Sequence, residues 1–269
     1  MTLLIHSMAE FKSIVTPALD LVKPLKIAEI GSEHGGMTTI LNQWALANNA
    51  HLTSIDPAPS QIFRDWISSA DSFTHIPKPS LECIAELQDI DCWFIDGDHN
   101  WYTVYNELQL IEANCKRDGK PLFVFLHDVN WPCGRRDSYY APERIPAAFQ
   151  HEFDYDHGVT PGNAGMINGG FRGMGSFAFA CHEGGAKNGV LTAVEDFCSG
   201  NETDLILAVI PAVFGLGVLF RTDQLWSEPL ASQILPYHMH PLIAKLEENR
   251  LKNYLAVIAL QDQMSQEKS

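Results

Sequence analysis

The chain has 269 residues, 46% hydrophobic and 19% charged, enough for one large α/β domain with a sizeable core or for two small ones. Its formal net charge of −15 argues against nucleic acid and anionic membrane surfaces as partners, since both are held chiefly by Lys and Arg. The six cysteines form no CxxC pair and no zinc-ligand spacing, and the N-terminus lacks a basic segment followed by a long apolar one, so a reducing, cytoplasmic setting is expected.

Taken in order, residues 8–22 read as an amphipathic helix that stops before Lys23-Pro24. Leu25 to Ile30 is a short apolar strand breaking into Gly31-Ser32-Glu33-His34-Gly35-Gly36, and Met37 to Ala47 is helical again. A second strand, His51 to Ile55, is stopped by Asp56-Pro57. A helix is expected around 59–70, a weak strand at Ser72 to Ile76 and a short helix at Leu81 to Leu87. Cys92 to Ile95 is a buried strand ending in Asp96-Gly97-Asp98-His99, and Cys92 in it reads as a small hydrophobe. Trp101 to Ala113 follows as a helix, and Leu122 to Leu126 as a strand ending in His127-Asp128. Lys116-Arg117-Asp118-Gly119-Lys120 reads as a solvated turn between them. Apolar strands alternating with helices imply a parallel sheet covered on both faces, with ligands beyond the carboxyl ends of its strands. The polar residues at 31–36, 56, 96–99 and 127–130 all fall at such ends.

Periodicity fails between Trp131 and Lys187, a stretch rich in Gly, Pro, aromatics and His, which is expected to be an inserted lid. Trp131, Tyr139, Tyr140 and Arg135-Arg136 are its candidate substrate wall. His151, His157 and His182 read as surface groups. Gly189 to Cys198 is helical, and Asp204 to Ile210 with Gly215 to Arg221 looks like an antiparallel hairpin. This apolar stretch, Leu205 to Phe220, holds Pro211, Gly215 and Gly217 and falls short of the roughly 20 residues of a membrane helix. Residues 241–261 form a C-terminal helix that could pack on the domain or pair with a second copy as a homo-oligomer.

The glycine loop alone is weak evidence. A nicotinamide site wants GxGxxG, and Glu33 would set a carboxylate where a pyrophosphate needs bare backbone. An acid-rich cleft suits a cationic ligand better. Asp96 and Asp128 end two adjacent strands, and such hard oxygen ligands suit Mg²⁺ or Ca²⁺. His99 is the expected general base, because an imidazole can take a hydroxyl proton at neutral pH. Capping of the next helix or packing on the cofactor are its alternatives.

The runs IAEIGSEHGG, LTSIDP, CWFIDGDHNWYTV and LFVFLHDV resemble the successive strand ends of class I S-adenosylmethionine-dependent methyltransferases. Within that class they are most similar to the catechol/caffeoyl-CoA type and the macrolide-sugar O-methyltransferases. The resemblance covers residues 25–130 and the hairpin at 204–221. It implies a single domain over residues 1–269, a Rossmann-like seven-stranded sheet with helices on both faces and the lid at 131–187. It also implies that Glu29, Gly31 and Ser32 hold the amino-acid end of the cofactor, with Gly35 letting the backbone approach. Asp56 would accept from both ribose hydroxyls, Ser80 would touch the adenine, and Asp98 would join the cofactor set. Relatives carry two acidic or amide groups at the second strand end. His127 replaces one here, so it joins Asp96 and Asp128 in the expected metal set, could favour a softer ion, or could be the base of a metal-free site. The expected activity is O-methylation of a small-molecule hydroxyl. An oxidoreductase or hydroxylase on the same fold, and a catalytically silent scaffold, are the alternatives.

Overall fold

The computed structural model describes residues 4–67, 73–200 and 204–266. After a 3-10 turn at Met8–Phe11, the chain runs α1 (Lys12–Val22), β1 (Lys26–Ile30), α2 (Gly36–Ala47), β2 (His51–Ile55), α3 (Gln61–Ile67) and β3 (Phe73–Ile76). It continues with α4 (Ser80–Cys83), β4 (Cys92–Ile95), α5 (Trp101–Asp118) and β5 (Phe123–His127). Three short strands follow, β6 (Ser138–Tyr139), β7 (Phe153–Asp154) and β8 (Ala178–Ala180). The chain closes with α6 (Val190–Ser199), β9 (Leu205–Ile210), β10 (Leu216–Arg221), α7 (Ser227–Ile234) and α8 (Pro241–Gln266). The expected helix end at 68–70 and the expected strand start at Ser72 lie outside the described residues.

β1 to β5, β9 and β10 form one sheet of order β3-β2-β1-β4-β5-β10-β9. The first five strands pair in parallel, and β10 runs antiparallel to both neighbours. This is the expected Rossmann-like seven-stranded sheet, and its covering follows from strand chemistry. In β4, Cys92 and Phe94 join the cluster that holds α1, α2 and α7, while Trp93 and Ile95 join the one that holds α5 and α6. Side chains alternate between faces, so only an unbroken apolar run can bury both.

Two expectations change. The helix expected over 101–113 runs on to Asp118, with Lys116 and Arg117 in its last turn and Gly119 left-handed behind it at φ 65°. Cations suit that end of the helix dipole, and glycine suits that cap. The segment 131–187, expected as a lid, is not irregular throughout. β6, β8 and β7 form a second sheet in that order. Its foundation is Asp137, fully buried, whose carboxylate accepts from Trp101 N and Gly189 N at 2.7 Å each and from the Tyr139 hydroxyl at 2.8 Å. Asp137→Asn keeps the shape but turns an amide N–H toward these donors. We expect a loss of about 2 kcal/mol, read as a lower urea midpoint with unchanged slope.

Candidate active site

The loop between β1 and α2 is built against backbone. Gly31 has φ 85°, and a Cβ there would lie 2.1 Å from the Asp96 carbonyl oxygen, so no other residue fits without prying β1 from β4. Gly35 has φ 79°, and its Cβ would meet the Phe63 ring at 2.5 Å. Asp56, at the end of β2, ties this loop down. Its Oδ2 accepts from Ser32 N at 2.9 Å and Glu33 N at 2.8 Å, and its Oδ1 from Ala58 N at 2.8 Å. Glu29, inside β1, is 2% exposed, and its Oε2 has no hydrogen-bond partner among the described residues. Burial, reinforced by the carboxylates of Asp96 and Asp56, pushes its carboxyl up to about 8.

The ends of β4 and β5 bring four groups together. His99 Nε2 lies 3.4 Å from Asp96 Oδ1 and 3.2 Å from Asp128 Oδ2. Among the described residues these three form the one group of His, Cys, Asp or Glu able to hold a metal ion, with donor atoms all within 4.8 Å of one another. Asp128 sits in the left-handed region at φ 58°, which Asp tolerates better than most residues.

His127, the third expected ligand beside Asp96 and Asp128, lies behind that set. Its Nε2 lies 2.9 Å from the Val213 carbonyl, which can only accept, so this nitrogen carries a proton. Its Nδ1 faces Asp96 Oδ1 at 3.1 Å and Asp128 Oδ2 at 3.3 Å, again acceptors only. Burial opposes a charge here, but the two carboxylates prevail and lift the imidazole to about 10. Both nitrogens thus face acceptors, an arrangement that favours the protonated imidazole. Asp96 answers the pair: burial would raise it, yet His127 and His99 bring it down to about 2.

The candidate substrate wall divides. Tyr140 is half exposed and stands against His99, ring centroids 5.9 Å apart, with Phe177 at 5.5 Å on its other side. Trp131 packs between Phe171 and Phe214 at 5.9 and 6.3 Å. Tyr139 and Arg136, by contrast, are fully buried, Arg136 donating to the carbonyls of Ala180 and Ala164. Arg135 is occupied by Glu195 at 2.5 and 2.7 Å. These three are framework of the 131–187 segment, not wall.

Ser80 opens α4, and its hydroxyl donates to Glu107 Oε1 at 2.5 Å. Asp98 Oδ2 accepts from Thr103 Oγ1 at 3.1 Å, while its Oδ1 is buried without a partner among the described residues. Glu107 is fully buried, and burial pushes it up to about 8. It escaped the sequence reading, although the signal was there: position 107 falls on the same face of α5 as Val104, Leu108 and Ile111, where an acid is out of place.

Residues 28–129 match the family model described as a methyltransferase domain. No curated protein matches the chain. Among solved structures it is similar to the SAH-bound Podospora anserina methyltransferase PaMTH1, with 13% identity over 80% of this chain and 78% of that one and a TM-score of 0.47. A candidate O-methyltransferase from Nostoc punctiforme PCC 73102 gives 14% identity, 80% and 56% coverage and a TM-score of 0.48. Cofactor-bound Rv0187 from MTB gives 13%, 81% and 82% coverage and 0.46. The segment that matches the methyltransferase domain model runs from β1 to the turn after β5.

Proposed function

We propose that the protein is an S-adenosylmethionine-dependent O-methyltransferase for a small-molecule hydroxyl, aided by a divalent cation. The observation that carries it is the convergence of Asp96, His99 and Asp128 beside the loop of Gly31 and the buried Glu29, whose Oε2 has no partner among the described residues. Glu29 fits the ammonium of the cofactor, since an isolated buried carboxyl is stabilised by a cation brought to it. Asp56 Oδ1 has one hydrogen bond and so retains capacity for a ribose hydroxyl. When bound, S-adenosylmethionine supplies an electrophilic methyl group. Residues of this chain then bind and align, which is most of what a single displacement requires.

Two carboxylates suit Mg²⁺, Ca²⁺ or Mn²⁺, and the imidazole beside them shifts the preference toward Mn²⁺ or a softer divalent ion. Such an ion would lower the pKa of a hydroxyl bound beside it. His127, as a fixed cation, holds Asp96 and Asp128 in place from behind. His99 is well above the usual histidine range because burial is outweighed by Asp128 and Asp96. Protonated at neutral pH, it is a poor base as it stands, and as a ligand it would exchange that proton for the ion. Tyr140, Trp131 and the Phe171–Phe177 segment of the lid would flank the acceptor.

The reading is tested by incubating the protein with methyl-labelled S-adenosylmethionine, Mg²⁺ or Mn²⁺ and a panel of phenols, sugars and other hydroxyl compounds. Label on at least one acceptor oxygen is expected. Label on none, with cofactor bound, would contradict it.

Glu29 makes the affinity depend on pH. Below about 8 its carboxyl is neutral, whereas the ligand ammonium favours the ionised form. Binding at pH 7 should therefore release close to one proton, and affinity should rise up to about tenfold per pH unit until about 8. Titrations in buffers of different ionisation enthalpy check this, and Glu29→Gln should bind more weakly with a flat profile.

A further inference from the structure

We infer that Glu247, on α8, is a positioning residue for the metal cluster: its carboxylate holds the turn between β9 and β10, and that turn fixes the residues on either side of Asp128. The inference rests on the proposed metal-assisted reading and adds to it the part of the chain that keeps Asp128 in place.

The turn spans residues 211–215, and Val213, Phe214 and Gly215 run left-handed in succession at φ 46°, 66° and 96°. Glycine takes that region freely, but a β-branched valine and a phenylalanine are held there only by their surroundings. The turn grips the end of β5 at two points. The Val213 carbonyl accepts from His127 Nε2 at 2.9 Å, and the Phe214 carbonyl accepts from Asn130 N at 2.7 Å. His127 and Asn130 flank Asp128, which is itself left-handed at φ 58°. On its other side the His127 ring reaches Asp96 Oδ1 at 3.1 Å and Asp128 Oδ2 at 3.3 Å. A displacement of the turn therefore reaches both carboxylates of the cluster.

Glu247 fastens the turn from behind. Its Oε1 accepts from Phe214 N at 3.1 Å, and the Val213 N–H bears on the same carboxylate. Burial opposes the charge, but Arg250 donates to both oxygens at 2.6 Å each, and with these N–H groups it holds the carboxyl below its usual range. Arg250 also donates to the Ile5 carbonyl at 2.6 Å and lies 5.0 Å over the Phe214 ring. Docking α8 needs no such pair, since Leu251 and Tyr254 already pack on Phe214. Apolar side chains in its place would avoid the cost of desolvating two charges. What they could not do is accept from the backbone of the turn.

The test is Mn²⁺ binding to the full chain, followed through the EPR signal of the free ion, with melting curves and S-adenosylhomocysteine calorimetry on the same proteins. Glu247→Ala would leave Arg250 buried without its partner, so the acceptor is removed instead in Glu247→Met/Arg250→Met. That exchange of an ion pair for apolar side chains of similar length is one that folded proteins commonly tolerate. The double variant should melt cooperatively and bind Mn²⁺ about tenfold or more weakly, the usual cost of losing a group that supports metal ligands. Glu247→Gln keeps an oxygen for the Phe214 N–H and should stay within about threefold of the wild type. Asp262→Asn loosens α8 from Arg172 without touching the turn and should bind Mn²⁺ as the wild type does. S-adenosylhomocysteine affinity should be alike in all four proteins, since none of the substitutions touches the Gly31 loop. Wild-type Mn²⁺ affinity in the folded double variant, or an equal loss in Glu247→Gln, would overturn the inference. If the wild type binds S-adenosylhomocysteine but no Mn²⁺, the metal reading itself falls and the inference with it.

Discussion

Gly31→Ala is expected to abolish cofactor binding and to lower the melting temperature by about 10 °C or more. The added Cβ would stand 2.1 Å from the Asp96 carbonyl oxygen and 2.5 Å from its carbon, both backbone atoms of the neighbouring strand end. Relief requires β1 and β4 to part, or the loop to leave φ 85°, which L-residues disfavour by roughly 1–2 kcal/mol on its own. Either shift moves Ser32 and Glu33 off Asp56, and Asp96 away from His99. A total of about 4 kcal/mol corresponds to about 10 °C or more for a chain of this size. Gly119→Ala is the control: φ there is 65°, but nothing lies within 4 Å of the new Cβ. It should show the backbone effect alone, a shift of a few degrees with binding intact. Equal shifts for the two variants would mean that backbone conformation, and not the close approach to Asp96, governs Gly31.

Removal of divalent ions should reduce turnover by about a thousandfold or more, on the order of 4 kcal/mol of transition-state stabilisation, with cofactor binding largely retained. Added Mg²⁺ or Mn²⁺ should restore it. Asp128→Asn should raise the metal concentration needed for half-activity steeply, since it removes one of two anionic donors from the cluster with Asp96 and His99. Its effect on folding should be small, because Asp128 lies at a strand end and not in the apolar core. His99→Ala should resemble chelation, not merely shift the pH profile. Full activity in chelator with His99→Ala inactive would instead leave His99 as the base of a metal-free site. His127→Ala separates the two histidines: losing the cation behind Asp96 should weaken metal affinity without creating a new pH dependence near neutrality.

How far the sequence could be read depended on how local each feature was. The strands were legible because Ile27 to Ile30, Leu52 to Ile55, Cys92 to Ile95 and Phe123 to Leu126 are short, mostly apolar or β-branched runs, ended by Gly31, Asp56, Asp96 and His127-Asp128. Asp96, His99 and Asp128 were legible because strand ends in a parallel sheet must converge. The small sheet of the lid was not, since strands of two or three residues carry no period. Nor was α7, in which Leu230 and Ile234 alone mark two turns of helix. The place of His127 depended on the Val213 carbonyl, 86 residues further on, and no local pattern encodes that contact. The same holds for Arg136, read as candidate substrate wall, and for Asp137: both are buried, and partners of each lie in residues 163–189. Within the described residues, no helix is long and apolar enough to cross a membrane.

The most direct measurement of the central claim is a calorimetric titration of the wild-type protein with S-adenosylhomocysteine at pH 7.5, repeated with Asp56→Ala. The proposed site predicts one molecule bound per chain with a dissociation constant in the micromolar range, about −8 kcal/mol, weakened in the variant by about 1.5–3 kcal/mol for each charged hydrogen bond lost. No heat and no thermal stabilisation at millimolar ligand, from a protein that melts cooperatively, would contradict it.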